Sequence, residues 1–267
     1  MEKNRINDIF FYTYPFLNEK GVQSFTSTRF GGVSINKYAS LNIAFHTGDE
    51  VVSVIENRKR LSSAILISLS RMVMAQQTHS ANVYRVMADD AGKGAFNQHD
   101  AIADSDALIT NVPNVCITIQ TADCVPVLLY DPVQKAIGVV HAGWKGIMSS
   151  ITVATVEAMH KAYGCNPLDM LAVIGPSISP EVYEVGEALL YAAEQTFGEK
   201  AALLCIPRKG KIFFDLWKAT EMQLVDIGLL SANIQTTGLC TYSDSDFFSA
   251  RKEGIQSGRI ISGLMLG

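Results

Sequence analysis

Three short segments carry the side chains best suited to chemistry: Gln77-Thr78-His79, Thr121-Ala122-Asp123-Cys124 and His141-Ala142-Gly143-Trp144-Lys145-Gly146. Between them they offer two imidazoles and one thiol, a ligand set suited to a catalytic zinc with one coordination position open. The second and third segments flank a stretch that reads as a β-hairpin. Val125 to Tyr130 and Ala136 to Val140 are apolar runs, and Asp131-Pro132-Val133-Gln134 between them is turn chemistry. A hairpin closed symmetrically about those four residues pairs 131 with 134 and, on the same register, Cys124 with His141. Directly opposed Cβ atoms lie about 4.5–5.5 Å apart. At that spacing both side chains can reach one ion, or the imidazole can serve the thiol as a base. Each residue alone also has a plain structural reading, the Cys as a small core hydrophobe and the His as a hydrogen-bonded tether. Their shared face favours the functional reading, because a one-residue slip would separate them. Spacing does not place His79 against the other two.

Neighbouring residues extend the set. Asp123 adjoins the thiol and, on a regular strand, points to the opposite face, where it would cap or pair behind the site or shuttle a proton. After His141, two glycines let the backbone turn with its N–H groups exposed before a helix expected from 147. Lys145 adds a full positive charge there, so the turn has the makings of an oxyanion cradle, although glycine-rich turns before helices are common. Trp144 is either a stacking surface or a core filler. In the helix expected near 50–67, Val51, Val54, Ile55, Leu61, Ser62 and Ile65 form one stripe, and Arg58 falls in its middle. A guanidinium on the core side needs an anionic or carbonyl partner. Either Arg58 snorkels or pairs structurally, or it reaches the wall of an active site. His46 reads as a loop histidine tied to the backbone, and His99 and His160 have no supporting context.

The elements that must position these residues predict an α+β fold. Strands are expected at 8–14, 22–29, 72–75, 82–87, 106–109, 115–119, 125–130, 136–141, 169–174, 233–237 and 246–250, and helices near 50–67, 147–163, 181–197 and 215–228. Strands outnumber helices and are often joined by short turns, which points to mixed or antiparallel sheets rather than a doubly wound parallel one. With 267 residues, 48% of them hydrophobic and 18% charged, the chain can bury a large core. It has no linker-like or repetitive stretch, so a single domain over 1–267 is expected. No GxGxxG or Walker A motif supports a nucleotide-binding fold. The net charge of −4 and the lack of a long basic cluster argue against nucleic acid as partner. No apolar run approaches the length of a membrane span. Five cysteines without a CxxC pair point to the reducing cytoplasm. The oligomeric state is not legible.

The chain resembles the bacterial YfiH/YlmD family, also called the laccase-domain family. The resemblance covers nearly the whole sequence. It runs from Ser27-Thr28-Arg29-Phe30-Gly31-Gly32-Val33-Ser34 through Ser40-Leu41-Asn42, Gly48-Asp49 and Glu56-Asn57-Arg58. The three segments above follow, then Gly175-Pro176-Ser177-Ile178, Cys240-Thr241-Tyr242 and Phe247-Phe248-Ser249-Ala250-Arg251. Two departures fall in the tail, Arg251-Lys252 for two arginines and Ser257 for a threonine before Gly258-Arg259. The resemblance implies helices outside two stacked central sheets and metal ligation by His79, Cys124 and His141. Zinc is the implied metal, with copper as the alternative. It implies a purine nucleoside phosphorylase acting on inosine or adenosine with phosphate, with methylthioadenosine as a further candidate and adenosine deamination as a side activity. Cys124, His141 and Asp123 are then the catalytic candidates. Asn42, Arg58, Gln77, Lys145 and Arg251 are the candidates for substrate binding, with Arg58 and Lys145 serving phosphate.

Three other readings compete. A metal-free cysteine hydrolase with a Cys124–His141 dyad fits the hairpin equally well, and for it the family resemblance implies peptidoglycan precursors as substrates. A copper polyphenol oxidase fits the two-His, one-Cys set, but a multicopper enzyme needs many more imidazoles than His46, His99 and His160 can add. A non-enzymatic binding module would leave the open ligand position without a purpose.

Overall fold

Every residue of the strands 116–121, 125–131, 136–142 and 260–266 is buried, so each of these strands must be covered on both faces. The chain meets that demand by stacking two six-stranded sheets and laying helices on their outer sides. The computed structural model describes residues 1–267. One sheet runs in the order β1 (Glu2–Ile6), β2 (Ile9–Thr13), β3 (Val22–Ser27), β15 (Ile260–Leu266), β7 (Cys116–Thr121) and β4 (Met72–Val73). The other runs β14 (Ile234–Thr236), β10 (Leu171–Ile174), β8 (Val125–Asp131), β9 (Ala136–Ala142), β6 (Ala107–Thr110) and β5 (Val83–Arg85). The pairs β4–β7, β5–β6 and β10–β14 are parallel, whereas β8–β9 and β15 with both its neighbours are antiparallel. A small third sheet is formed by β11 (Glu184–Val185), β13 (Lys211–Phe214) and β12 (Cys205–Arg208).

The period of two along each strand sorts its side chains into separate cores. Ile117, Ile119 and Leu264 of the first sheet meet Leu128, Val139 and Val173 of the second in the seam between them. The first sheet's other face, with Phe25, Ile261 and Met265, is covered by Leu61, Ala64 and Ile65 of α2 (Val51–Ile65). The second sheet's outer face, with Ile109, Val127, Leu129 and Val140, is covered by Val156 and Met159 of α4 (Ile151–Tyr163) and Ala219 and Leu224 of α6 (Leu216–Asp226). Full burial of one such aliphatic side chain contributes about 1.5–3 kcal/mol. The result is a single α+β domain with mixed sheets, as the strand count predicts, in the helix, sheet, sheet and helix layers that the family resemblance implies. The short α1 (Pro15–Asn18), α3 (Trp144–Met148) and α7 (Ala250–Glu253) and the longer α5 (Glu187–Phe197) complete its seven helices.

Five local expectations differ from the structure, and in one of them the helix expected over 181–197 starts only at Glu187, after the short strand β11. The β8–β9 hairpin pairs Asp131 with Ala136 and Pro126 with His141, not Cys124 with His141. The Asp131 carboxylate accepts the N–H groups of Val133 at 2.8 Å and Gln134 at 2.9 Å, and Lys135 takes a left-handed φ of 49°, so the turn closes two residues later than a symmetric one. A shift of two keeps every residue on its face. The helix expected over 147–163 starts earlier, at Trp144, and breaks at Ser149-Ser150, where Ser150 takes a φ of 57°. Neither helix has a side-chain cap at the break. Residues 246–250 are not a strand. Phe247 and Phe248 bury themselves against Tyr12, Ala122 and Ile260 as irregular chain, and Ser249 caps α7 by accepting the N–H of Lys252. The central strand β15 was not expected from the sequence at all.

Candidate metal centre

The link from β7 to β8 carries the chain from one sheet to the other, and it is only Ala122-Asp123-Cys124 long. Asp123 makes the turn with a φ of 84°, in the left-handed region that aspartate tolerates better than most residues. Cys124 therefore stands at the open end of the seam. His141, at the end of β9, shares the seam-facing parity of Ile137 and Val139. Asp106 lies beside it, one residue before β6, where its carbonyl accepts the N–H of His141 at 2.7 Å. His79 comes from the loop before β5, with a φ of 62°.

The carboxylate of Asp106 ties these pieces together. It has no solvent exposure. It accepts Nδ1–H of His141 at 2.7 Å, the backbone N–H groups of Thr78, His79 and Ser80 at 3.1, 3.0 and 2.7 Å, and the Ser80 hydroxyl at 2.8 Å. With Nδ1 committed, His141 presents Nε2 to Cys124. The thiol of Cys124 lies 3.9 Å from Nε2 of His79, and one donor atom from each of His79, Cys124 and His141 lies within 4.8 Å of the others. A zinc bonded at about 2.0 Å to nitrogen and 2.3 Å to sulfur needs donors about 3.3–3.6 Å apart. Side-chain adjustments of about an ångström close the set, and the exposed His79 has the freedom to make them. Gly143 makes room. A Cβ there would stand 3.0 Å from both Cys124 Sγ and His79 Cδ2.

Electrostatics prepare the thiol for a cation. Burial pushes the Cys124 thiol up, but the charge of His141 and hydrogen bonds from both imidazoles outweigh it and hold the thiol at about 6. Burial likewise disfavours the His141 cation, and the Cys124 thiolate and Asp106 reverse that, raising it to about 9. A thiolate and two oriented imidazoles form a donor set that fits zinc.

A family model described as multi-copper polyphenol oxidoreductase laccase matches residues 23–267. The chain belongs to this family. A purine nucleoside phosphorylase of Bacteroides thetaiotaomicron is 40% identical over 250 residues, which is 92% of each chain. Adenosine deaminase RL5, from an unknown prokaryotic organism, is 33% identical over 247 residues, or 92% of this chain and 94% of that one. The crystal structure of the Bacillus licheniformis YfiH protein superposes with a TM-score of 0.93 at 30% identity, covering 99% of both chains. The YfiH/YlmD resemblance carried by the motifs and the match to the laccase-domain family thus agree.

In this laccase-domain protein the remaining candidates divide among several places. A cavity of about 270 Å³ opens beside the three donors, with His79, Asp123, Cys124 and Lys145 as polar walls and Trp144, Ile178, Tyr183, Leu216 and Ile255 as apolar ones. Lys145 is exposed, forms no ion pair, and holds its ammonium 5.8 Å from the Trp144 ring. It lies in the first turn of the five-residue helix α3, whose N-cap is Gly143, rather than before a long helix. Both oxygens of Asp123 are occupied, one by the Thr241 hydroxyl at 2.7 Å and the other by the Arg251 N–H at 2.6 Å. Asp123 thus pins the C-terminal motif to the site. The Arg251 guanidinium donates to Glu184 O at 2.9 Å and lies over Tyr183, lining a groove that continues past Trp144. Gln77 and Arg58 face a second cavity. Gln77 behaves as an extra strand residue, exchanging amide hydrogen bonds of 2.7 and 2.8 Å with the backbone of Gln120. Asn42 reaches none of these cavities. It is fully buried, and its amide organises the loop through Ala44, Thr47, Asp49 and the N–H of Arg259. His46, on the second cavity, has its imidazole depressed by local desolvation and then by the charges of Arg259, His141, Arg58 and His79.

Sequence reasoning missed Asp106. The signal was an acid at the head of the apolar run Ala107-Leu108-Ile109, where a buried carboxylate needs several donors. It also missed Tyr183, Leu216 and Ile255, apolar walls brought in from distant segments by tertiary packing alone.

Proposed function

We propose that this protein is a zinc-dependent purine nucleoside phosphorylase that cleaves inosine or adenosine with phosphate and also deaminates adenosine. The observation that carries the reading is the convergence of His79, Cys124 and His141 beside a cavity with flat and apolar walls. The names of the relatives supply the substrate class. Zinc on these three residues would act as a Lewis acid at its open position. The protein's own groups do the rest. Asp106 fixes the tautomer and direction of His141. Trp144 and Tyr183 offer aromatic surfaces to a purine ring, and Ile178 and Leu216 exclude water around it. Asp123 holds Thr241 and the backbone of Arg251 beside the cavity it lines. Overall, inosine and phosphate give hypoxanthine and ribose 1-phosphate. No helix is long and apolar enough to cross a membrane, and cysteine usage supports a cytoplasmic location.

The cysteine-hydrolase reading has one observation in its favour. Cys124, His141 and Asp106 line up as thiol, imidazole and carboxylate. A dyad has no use for a second imidazole 3.9 Å from the same sulfur, whereas a metal centre does. The multicopper oxidase reading lacks ligands. Of the five histidines, His99 is exposed and His160 is tied to Cys165 O at 2.8 Å. The test is base release from inosine with and without phosphate. Release that depends on phosphate is expected. A protein that releases no base at any phosphate concentration would not be a phosphorylase.

A further inference from the structure

Arg58 is the only buried Lys or Arg in the chain, and it forms no salt bridge. Its Nε donates to Ile43 O at 2.7 Å, and its Nη1 to Gly94 O at 2.6 Å and Ala95 O at 2.8 Å. One face of the guanidinium stacks on Phe45 at 4.0 Å. These contacts use the hydrogens of Nε and Nη1, while Nη2 donates to no protein atom. Carbonyl dipoles satisfy hydrogen bonds, but they leave the formal charge without a counter-ion, and an unpaired buried charge is costly. Burial lowers the guanidinium to about 9, so it is still a cation at neutral pH.

The same residue walls a cavity of about 300 Å³ that has no Asp or Glu on its lining. Gln76 and Gln98, also on that wall, make no side-chain hydrogen bond to protein and are free to donate. The wall continues through Gln77 and Thr78 to His79, which faces the first cavity. His46 joins the two electrostatically, feeling Arg58 as well as His79 and His141.

We propose that this second cavity is an oxyanion subsite in which Arg58 Nη2, Gln76 and Gln98 receive a small tetrahedral anion, with inorganic phosphate as the reactant it serves. The inference rests on the phosphorolysis reading for its biological use, but not for its chemistry. The cation supplies the charge that phosphate lacks elsewhere in the protein interior, and the neutral amides supply donors without repelling it.

The test is calorimetric titration of the zinc-loaded protein with inorganic phosphate, in wild type, Gln98→Glu and Arg58→Lys. Wild type is expected to bind one phosphate, with sulfate competing. Gln98→Glu adds a negative charge to the cavity that Arg58 walls and leaves the carbonyl partners of Arg58 in place. It is expected to weaken phosphate binding about tenfold or more and to raise the phosphate KM in step, with the nucleoside KM unmoved. Arg58→Lys keeps the charge but loses the fork, and is expected to fall between the two. Phosphate binding is expected to survive chelation of the metal. Wild-type affinity in Gln98→Glu, no binding by wild type, or binding lost with the zinc would each overturn the subsite. If phosphate binds here but inosine is never cleaved, the subsite stands and the phosphorolysis reading falls. If inosine is cleaved with an unchanged phosphate KM in Gln98→Glu, the reverse holds.

Discussion

The carboxylate of Asp106 accepts Nδ1–H of His141 at 2.7 Å and, through the same two oxygens, the backbone N–H groups of the loop that carries His79. One buried acid thus sets the direction of one imidazole by its ring and of the other by its backbone. Asp106→Asn keeps the size but loses the charge and turns donors toward donors. Zinc affinity, measured by competition with a chelator, is expected to fall about 10–100-fold. Stability is expected to fall by about 1–3 kcal/mol in denaturant titration of the metal-free protein. Unchanged zinc affinity would show that Asp106 serves the fold alone.

Gly143 has an ordinary φ of −71°, so alanine fits its backbone. Its Cβ, however, would stand 3.0 Å from Cys124 Sγ and from His79 Cδ2. Gly143→Ala is therefore expected to displace the two ligands and weaken zinc about tenfold or more, with a thermal midpoint close to wild type in the metal-free state. Cobalt substitution gives a direct readout, since distorted ligation shifts the visible bands. A spectrum identical to wild type would contradict the steric argument.

Asp123 spends both oxygens on the C-terminal motif, Thr241 at 2.7 Å and the Arg251 N–H at 2.6 Å. Asp123→Ala is expected to destabilise the protein by about 1.5–3 kcal/mol, the worth of hydrogen bonds to a charged group. Hydrogen exchange should speed up in residues 240–254 in particular. A large loss of turnover with unchanged exchange there would instead give Asp123 a direct chemical role.

The strands at Val125 to Tyr130 and Ala136 to Val140 were legible because these apolar runs have strand length and turn residues between them, whereas the stacking of two sheets was implied by the family resemblance and the central strand β15 was not expected. The hairpin register was not legible, because it depends on Asp131 capping its own turn, a side-chain contact that spacing does not reveal. The break at Ser150 has no capping side chain to mark it, and at Phe247 and Phe248 tertiary packing overrode local preference. At the site, the grouping of His79, Cys124 and His141 was expected from residue type and family resemblance, and their donor atoms lie within 4.8 Å of one another. Asp106 was not, since an acid beside a strand has no motif, only a need for partners. Arg58 was legible as a charge on an apolar stripe. Its three carbonyl partners come from loops whose positions the sequence does not disclose.

The most direct test removes one ligand and follows metal and turnover together. Purified wild type is expected to carry zinc in a one-to-one ratio and to release hypoxanthine from inosine only with phosphate. Chelation is expected to abolish release, and added zinc to restore it. Cys124→Ala should fold, bind zinc far more weakly and lose turnover by the same factor. Full turnover by metal-free wild type or by metal-free Cys124→Ala would contradict the account at its centre.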